Sequence, residues 1–471
     1  MSMNHGFPML NRILITDIGA EGNAIARAGG QVVFVPMLVP GDVVDIRVTK
    51  KRKNYLEGRV IRFHEYSPDR IKPVCRHFGV CGGCKWQHLP YSLQLKYKEK
   101  QVTDNLTRIG KIHPGEILPI VASDEIYYYR NKLEFTFSDR RWFTKEELDS
   151  ETDFSGKDAL GFHVPGFFDK VLDIKECHLQ PEPSDSIRNA VRRYAHRKGL
   201  SFFNLRQQSG FLRNLVIRTT GSGDAMVIVV FFLDEQERIE GLLDFLAEEF
   251  PRITSLWYII NRKKNDSLAD QEPVLYRGND HLTEETGGLK FRIGPRSFFQ
   301  TNSRQAEKLY GIARDFAGLT GRETVYDLYC GTGTIAAYLA SQAARVTGIE
   351  YIEEAVHDAR INSDINNLKN TEFVAGDLKD VLCDSFFRDH GHPDVIITDP
   401  PRAGMHANVV RSVMEAGPAR IVYISCNPAT QARDISMLSE RYEVVKIQPV
   451  DMFPQTHHVE NVALLKLKNE T

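Results

Sequence analysis

From Thr324 onward the chain alternates short, mostly apolar runs with stretches of helical spacing; the runs are Thr324 to Leu328, Ala344 to Ile349, Thr371 to Ala375, Val395 to Thr398 and Arg420 to Ser425. Each is too short for a stable helix and rich in β-branched residues, which predicts strands buried on both faces. Strand–helix alternation of this kind predicts an α/β fold with a parallel, doubly wound sheet. Ligands of such a sheet sit beyond the carboxyl ends of its strands, so the residues just after each run are where chemistry is expected.

The first run leads into Asp327-Leu328-Tyr329-Cys330-Gly331-Thr332-Gly333-Thr334. Two glycines there let backbone approach a ligand closely at a helix start. Glu350 ends the second strand, placed to hold ribose hydroxyls, and Asp377 follows the third, where a carboxylate can accept from an adenine amine. The third glycine of the dinucleotide fingerprint is missing. Together these residues resemble the cofactor site of class I S-adenosylmethionine methyltransferases, with Cys330 a packing residue.

The fourth strand ends in Asp399-Pro400-Pro401-Arg402, and two prolines forbid continuation of the ladder, which exposes the aspartate at the site. The fifth delivers Cys426-Asn427-Pro428 to the same edge. Carbon 5 of uracil attacks a methylsulfonium only after a thiolate has added to carbon 6, a role open to Cys426. A base must then remove the C5 proton. Phe453-Pro454-Gln455-Thr456-His457-His458-Val459-Glu460 supplies Glu460, with His457 and His458 as rivals whose unperturbed pKa lies nearer neutrality.

Asp399-Pro400-Pro401-Arg402, Ser425-Cys426-Asn427-Pro428 and Phe453-Pro454-x-Thr456-x-His458-x-Glu460 resemble the RNA 5-methyluridine methyltransferase family. The likeness covers nearly the whole chain, including Ser297-Phe298-Phe299-Gln300-Thr301-Asn302 before the sheet. It implies Cys426 as nucleophile, Glu460 as base, and Gln300, Tyr329, Thr334, Glu350, Asp377 and Asp399 at the S-adenosylmethionine site. The family often has Phe where Tyr329 stands and Asn at Thr334 or Asp377, which alters cofactor contacts without touching the chemistry.

Cys75, Cys81 and Cys84 cluster in one stretch and Cys177 lies far downstream. Four thiolates hold either zinc or a [4Fe–4S] cluster, and spacing alone admits both, with His77, His88 and His178 as rival ligands. Cluster-bearing members of the family share this pattern, so the resemblance implies the cluster. Radical S-adenosylmethionine chemistry needs three cysteines spaced three and two residues apart, and no such triplet occurs. A structural or RNA-positioning cluster is therefore expected.

Upstream, Ile13 to Ile15, Gly30 to Val35, Val43 to Thr49 and Arg59 to Phe63 predict a small β-barrel punctuated by glycines. Its Lys50-Lys51-Arg52-Lys53 beside Tyr55 pairs phosphate-neutralising charge with an aromatic. Residues 1–100 carry 16 Lys/Arg against 8 Asp/Glu, although the whole chain has a net charge of −2. This barrel resembles the TRAM domain of cluster-bearing 23S ribosomal RNA members, whereas transfer RNA members typically lack both features, so 23S ribosomal RNA is the expected partner. A transfer RNA enzyme, a non-catalytic RNA-binding assembly factor and an amino-nitrogen methyltransferase are the alternatives. The expected division is a barrel over 1–66, an α+β region with the cysteine site over 67–289 and the methyltransferase domain over 290–471. Helices are predicted at Ser92 to Ile109, Ser184 to Lys198 and Gln236 to Phe250. No long apolar run and no leader-like start occur, so no membrane association and a cytoplasmic location are expected.

Overall fold

The computed structural model describes residues 8–150, 156–268 and 270–468. Residues 1–7 of the expected barrel domain and 469–471 of the expected methyltransferase domain therefore lie outside the described residues. Strands β1 (Met9–Ile18), β2 (Ala24–Ala28), β3 (Gln31–Val35), β4 (Val43–Lys51) and β5 (Tyr55–Glu65) close into a barrel in the order β1-β2-β3-β5-β4. Ile15, Val33, Val44 and Ile46 fill its interior. The unexpected strand is β2, an alanine-rich run of weak strand preference that is held by pairing with β1 and β3.

Helix α1 (Tyr91–Arg108) buries Gln94, Lys98, Val102 and Leu106, a four-residue repeat that makes one stripe. That stripe is polar at one end and apolar at the other. Ile109, expected on the apolar face, is 53% exposed just past the helix. β6 (Glu116–Ile117) follows.

The middle region is a mixed eight-stranded sheet made of β7 (Lys132–Ser138), β8 (Arg141–Trp142), β9 (Ala159–His163), β10 (Val171–Asp173), β11 (Leu212–Thr219), β12 (Ala225–Phe231), β13 (Ile253–Ile260) and β14 (Val274–Gly278), in the order β14-β13-β12-β11-β7-β9-β10-β8. Its short helix is α2 (Lys145–Asp149), and α3 (Ser184–Lys198) and α4 (Gln236–Glu249) cover one face through residues such as Val191 and Leu242. From the other face Val216, Met226 and Ile228 enter the core of the C-terminal domain. The two regions thus share one hydrophobic interior.

Hairpin β15 (Leu282–Thr286)–β16 (Leu289–Ile293) and helix α5 (Ser303–Ala317) lead into the last sheet. It is built from β17 (Thr324–Leu328), α6 (Thr334–Ala340), β18 (Arg345–Glu350), α7 (Glu353–Ile365), β19 (Thr371–Ala375), α8 (Leu378–Val381), α9 (Asp384–His390), β20 (Val395–Thr398), α10 (Ala407–Ala416), β21 (Arg420–Ser425), α11 (Pro428–Leu438), β22 (Tyr442–Val450) and β23 (Glu460–Leu467). The order is β19-β18-β17-β20-β21-β23-β22-β6, parallel from β19 to β21 and antiparallel on either side of β23. The sheet's last strand, β6, pairs in parallel with β22 although it lies near residue 116. Sheet completion therefore draws on a segment of the expected middle region. Among the described residues no helix is long and apolar enough to cross a membrane.

Candidate active site

Parallel pairing of β18, β17, β20 and β21 brings Glu350, Tyr329, Asp399 and Cys426 to one edge, each at or just after a strand's carboxyl end. Cys426 stands between β21 and α11, with Asn427 capping the helix by accepting from the Ala429 amide. A helix start favours a thiolate. The Asn427 side-chain amide donates to the Arg402 carbonyl at 3.0 Å, and the Thr430 hydroxyl donates to the same oxygen at 3.2 Å. These bonds tie the Asp399-Pro400-Pro401-Arg402 loop to the cysteine.

Charge around Cys426 is divided. Burial, then the nearby Glu460 and Asp399 carboxylates, push its thiol up to about 12, while the Arg402 guanidinium pulls it down. Glu460 opens β23 and is 5% exposed. Burial first, and Asp399 second, raise its carboxyl well above the usual range, with Arg402 opposing. Desolvation raises Asp399, a half-buried residue, in the same direction. Two carboxyls so close to each other titrate as a unit.

The rival bases behave oppositely. Burial and neighbouring cations lower His457 to about 3 and His458 to about 4. His458 Nδ1 lies 3.5 Å from an Arg402 guanidinium nitrogen. Both imidazoles are thus neutral and weakly basic at neutral pH.

On the cofactor side, Tyr329 has φ 62°, a backbone region that a non-glycine residue occupies only when its surroundings impose it. Glu350 accepts from the Gly331 and Ile352 amides at 3.1 and 3.0 Å, one on each oxygen, and keeps a lone pair on each for ribose hydroxyls. A side chain added at Gly331 would meet nothing within 4 Å, so open space lies beside this turn. Asp327, assigned no role from sequence, is fully buried; one oxygen accepts from the Ala336 amide at 3.0 Å and the other has no hydrogen-bond partner. Open space and an unfilled buried acceptor fit S-adenosylmethionine.

The remaining expected cofactor residues are less closely joined. Thr334 is buried at the start of α6, its hydroxyl 3.4 Å from that of Thr332. Asp377 caps α8 and forms a 2.8 Å ion pair with Lys379 on an exposed rim. Gln300 lies ahead of α5, its carbonyl accepting from the Asn131 side chain at 2.9 Å. Cys330 packs in the core.

Cys75, Cys81, Cys84 and Cys177 together line one cavity of about 140 Å³. Thr456 and His458 of the loop before Glu460 line it too. Among the described residues, no three His, Cys, Asp or Glu side chains form a group that could hold a metal ion. Of the rival ligands, His77 Nε2 accepts from the Lys175 amide at 3.1 Å and His178 Nδ1 lies 2.7 Å from the Tyr128 hydroxyl. His88 is buried, with neither ring nitrogen partnered.

Lys51, Arg52 and Lys53 are exposed on the barrel, whereas Tyr55 is half-buried edge-on against Phe34. The exposed aromatic beside the barrel is Tyr66 instead, 66% exposed, stacked on Phe63 and with the Arg70 guanidinium 5.8 Å from its ring centroid. The barrel also reaches the loop before Glu460: Trp86 Nε1 donates to the Gly22 carbonyl at 3.2 Å, and a β-carbon at Gly22 would stand 2.9 Å from His457 Cβ.

Comparison with known proteins matches residues 219–468 to the tRNA (Uracil-5-)-methyltransferase family model and residues 11–61 to the TRAM domain. An uncharacterized RNA methyltransferase of Bacteroides thetaiotaomicron is 57% identical, covering 96% of this chain and 100% of that protein. One from Porphyromonas gingivalis is 56% identical over 97% of this chain and 100% of its own. The crystal structure of Pyrococcus abyssi tRNA (uracil-54, C5)-methyltransferase in complex with S-adenosyl-L-homocysteine superimposes with TM-score 0.75 at 30% identity, covering 96% of this chain and 100% of that one.

Proposed function

The chain belongs to the tRNA (uracil-5-)-methyltransferase family of S-adenosylmethionine-dependent RNA methyltransferases, and from that premise we propose that it methylates carbon 5 of a uridine in 23S ribosomal RNA through transient attachment to Cys426. The observation that carries the mechanism is the meeting of Cys426, Arg402, Asp399 and Glu460 at one sheet edge. S-adenosylmethionine supplies the methyl group as an electrophilic sulfonium.

Part-exposed Cys426 gives up its thiol proton to solvent water and adds as thiolate to carbon 6, and the displaced electron pair moves through carbon 5 to the carbonyl at carbon 4. Arg402 offsets the negative charge of the thiolate. Carbon 5 then takes the methyl group. Glu460 removes the proton from carbon 5, the C5=C6 bond re-forms, and the thiolate of Cys426 leaves. A carboxylate raised by burial is a stronger base than imidazoles lowered to about 3 and 4, which favours Glu460 over His457 and His458. Gln300, Tyr329, Thr334, Glu350, Asp377 and Asp399 hold the cofactor, with Asp327 beside them.

Although no three of the described side chains form a metal-holding group in this structure, we propose that the four cysteines carry a [4Fe–4S] cluster rather than zinc. Support comes from four thiols around one cavity of about 140 Å³, roughly ten times what a single water needs and larger than a bare ion fills. Cys75, Cys81, Cys84 and Cys177 would hold it as structural support for the loop that ends at Glu460.

The choice of 23S ribosomal RNA rests on the barrel and the cysteine set together. A transfer RNA substrate is favoured by the Pyrococcus enzyme, whose match over 96% of this chain extends into the barrel, so the barrel alone does not separate the two RNAs. Neither reading involves a membrane, and both suit a cytoplasmic enzyme. The test is incubation with 5-fluorouridine-substituted 23S ribosomal RNA and, in parallel, a transfer RNA pool, each with S-adenosylmethionine. A denaturation-resistant adduct mapped to Cys426 identifies reaction and substrate together, since fluorine does not leave as a proton. No adduct with either RNA, from protein that binds the cofactor, would overturn the mechanism and leave an RNA-binding assembly factor as the better reading.

A further inference from the structure

The loop between β22 and β23 carries Phe453, His457 and His458 and ends on Glu460. Four successive carbonyls of this loop are each engaged from outside it. Met452 O accepts from Asn302 Nδ2 at 3.0 Å, Phe453 O from Lys98 Nζ at 3.0 Å and Pro454 O from the Tyr129 hydroxyl at 2.9 Å. Gln455 O accepts from the amides of Lys85 and Trp86 at 2.9 and 3.0 Å. Side chains close the grip: Gln94 Nε2 donates to Gln455 Oε1 at 3.0 Å, Gln94 Oε1 accepts from the Gln455 amide at 2.9 Å, and Lys98 Nζ meets Asp451 Oδ1 at 2.5 Å.

Lys98 and Asp451 have no solvent exposure at all. A buried ion pair gains little over an apolar pair of similar volume, because both charges must first leave water, and the best-attested use of such a pair is to fix one geometry. Gln455 has φ 67°, a strained conformation for a residue with a side chain, and the polar grip is centred on it. Gln94 and Lys98 are the polar end of the α1 stripe, while Val102 and Leu106 at the other end are apolar core residues.

We infer that Gln94 and Lys98 are positioning residues for the proton-removal half of the reaction, holding the loop from α1 so that Glu460 meets carbon 5 of the covalent adduct. The inference rests on the reading of Glu460 as base. In that half the carboxylate takes the C5 proton, the C–H electron pair becomes the C5=C6 bond, and the C6–S pair returns to Cys426. The nucleophile is held by separate bonds, from Asn427 and Thr430 to the Arg402 carbonyl. Loosening the loop therefore slows release more than attachment.

The test uses the full-length enzyme and the RNA that the wild type methylates, with ordinary uridine. Lys98→Met/Asp451→Asn removes both charges at once and so strands neither in the interior; Gln94→Met disturbs no charge; Lys98→Arg keeps the cation. The expected result for the first two is unchanged S-adenosylhomocysteine and RNA affinity, turnover down about tenfold or more, and accumulation of methylated protein–RNA adduct on a denaturing gel. Lys98→Arg should recover part of the turnover. Wild-type turnover in both variants, or turnover and adduct formation falling in equal proportion, would overturn the inference. Loss of cofactor binding in both would make the network a fold element only, and the inference would fall. Absence of any wild-type adduct with 5-fluorouridine RNA would remove the reading of the reaction itself. A wild-type adduct without accumulation in the variants removes the positioning role alone.

Discussion

Asn427 and Arg402 are joined by a 3.0 Å hydrogen bond from side-chain amide to backbone carbonyl, which makes the residue after Cys426 and the residue that closes Asp399-Pro400-Pro401 one unit. The guanidinium of Arg402 is thereby kept within reach of Cys426, Glu460 and His458.

Replacing that cation is the first prediction. Arg402→Met should raise the Cys426 thiol further, since Arg402 is the charge that lowers it. Turnover is expected to fall about 10²-fold, within the range for losing one charge-stabilising group. Alkylation of Cys426 followed against pH should show its midpoint moved to higher pH; an unmoved midpoint would refute the electrostatic role.

Cys426→Ala should abolish methylation, by about 10³-fold or more, together with adduct formation, while S-adenosylhomocysteine binding measured by calorimetry stays intact. An alanine variant that still methylates would point to an amino-nitrogen acceptor, for which no thiol is needed.

Glu460 carries a pH signature in both activity and stability. Its carboxyl is raised in the folded state, so the folded protein binds a proton that the unfolded chain releases. Stability from this group is full below the ordinary carboxylate range and declines as pH rises through the raised folded value. Glu460→Gln should remove that decline, stabilising the enzyme by about 1–3 kcal/mol at pH 9 relative to wild type. Thermal unfolding of both proteins at pH 5 and pH 9 measures it. The same variant should accumulate methylated adduct, because the proton on carbon 5 has no acceptor.

Protein purified without oxygen should be brown and contain iron and sulfide, and Cys81→Ser should lose both. Stoichiometric zinc without iron would count against the cluster assigned to this cavity.

Lys51, Arg52 and Lys53 are exposed on the barrel. Their combined replacement by alanine should weaken RNA binding and reduce the slope of log affinity against log salt by about 2 to 3. Cofactor affinity should not change. Filter binding at several salt concentrations reads the slope, and an unchanged slope would place the RNA elsewhere.

The parallel strands were the most legible part of the fold. β17, β20 and β21 fall where their apolar runs predict, because strands buried on both faces leave little room for polar residues; β19 falls where expected too, but as a half-buried edge strand. β22 escaped notice, since Glu443, Lys446 and Gln448 interrupt its run on the side that meets solvent. The two-residue β6 has too little sequence to signal anything. Cys426, Asp399 and the glycine turn were readable because each directly follows a strand, whereas Glu460 opens β23 after a polar loop and was legible only through the family resemblance. The clamp on that loop was not legible. Gln94 and Lys98 look like ordinary wet-face residues of an amphipathic helix, and their partners lie more than 350 residues away. The apolar periodicity of α1 even favoured Ile109, which the fold leaves exposed.

β6 pairs with β22 and Lys98 with Asp451, so the helix and strand that follow the barrel find these partners only beyond residue 440. A chain interrupted before that point would lack the strand that pairs with β6, the partner of Lys98 and the proposed base Glu460. On the proposed mechanism, a fragment of that kind that attached to a uridine would stay attached.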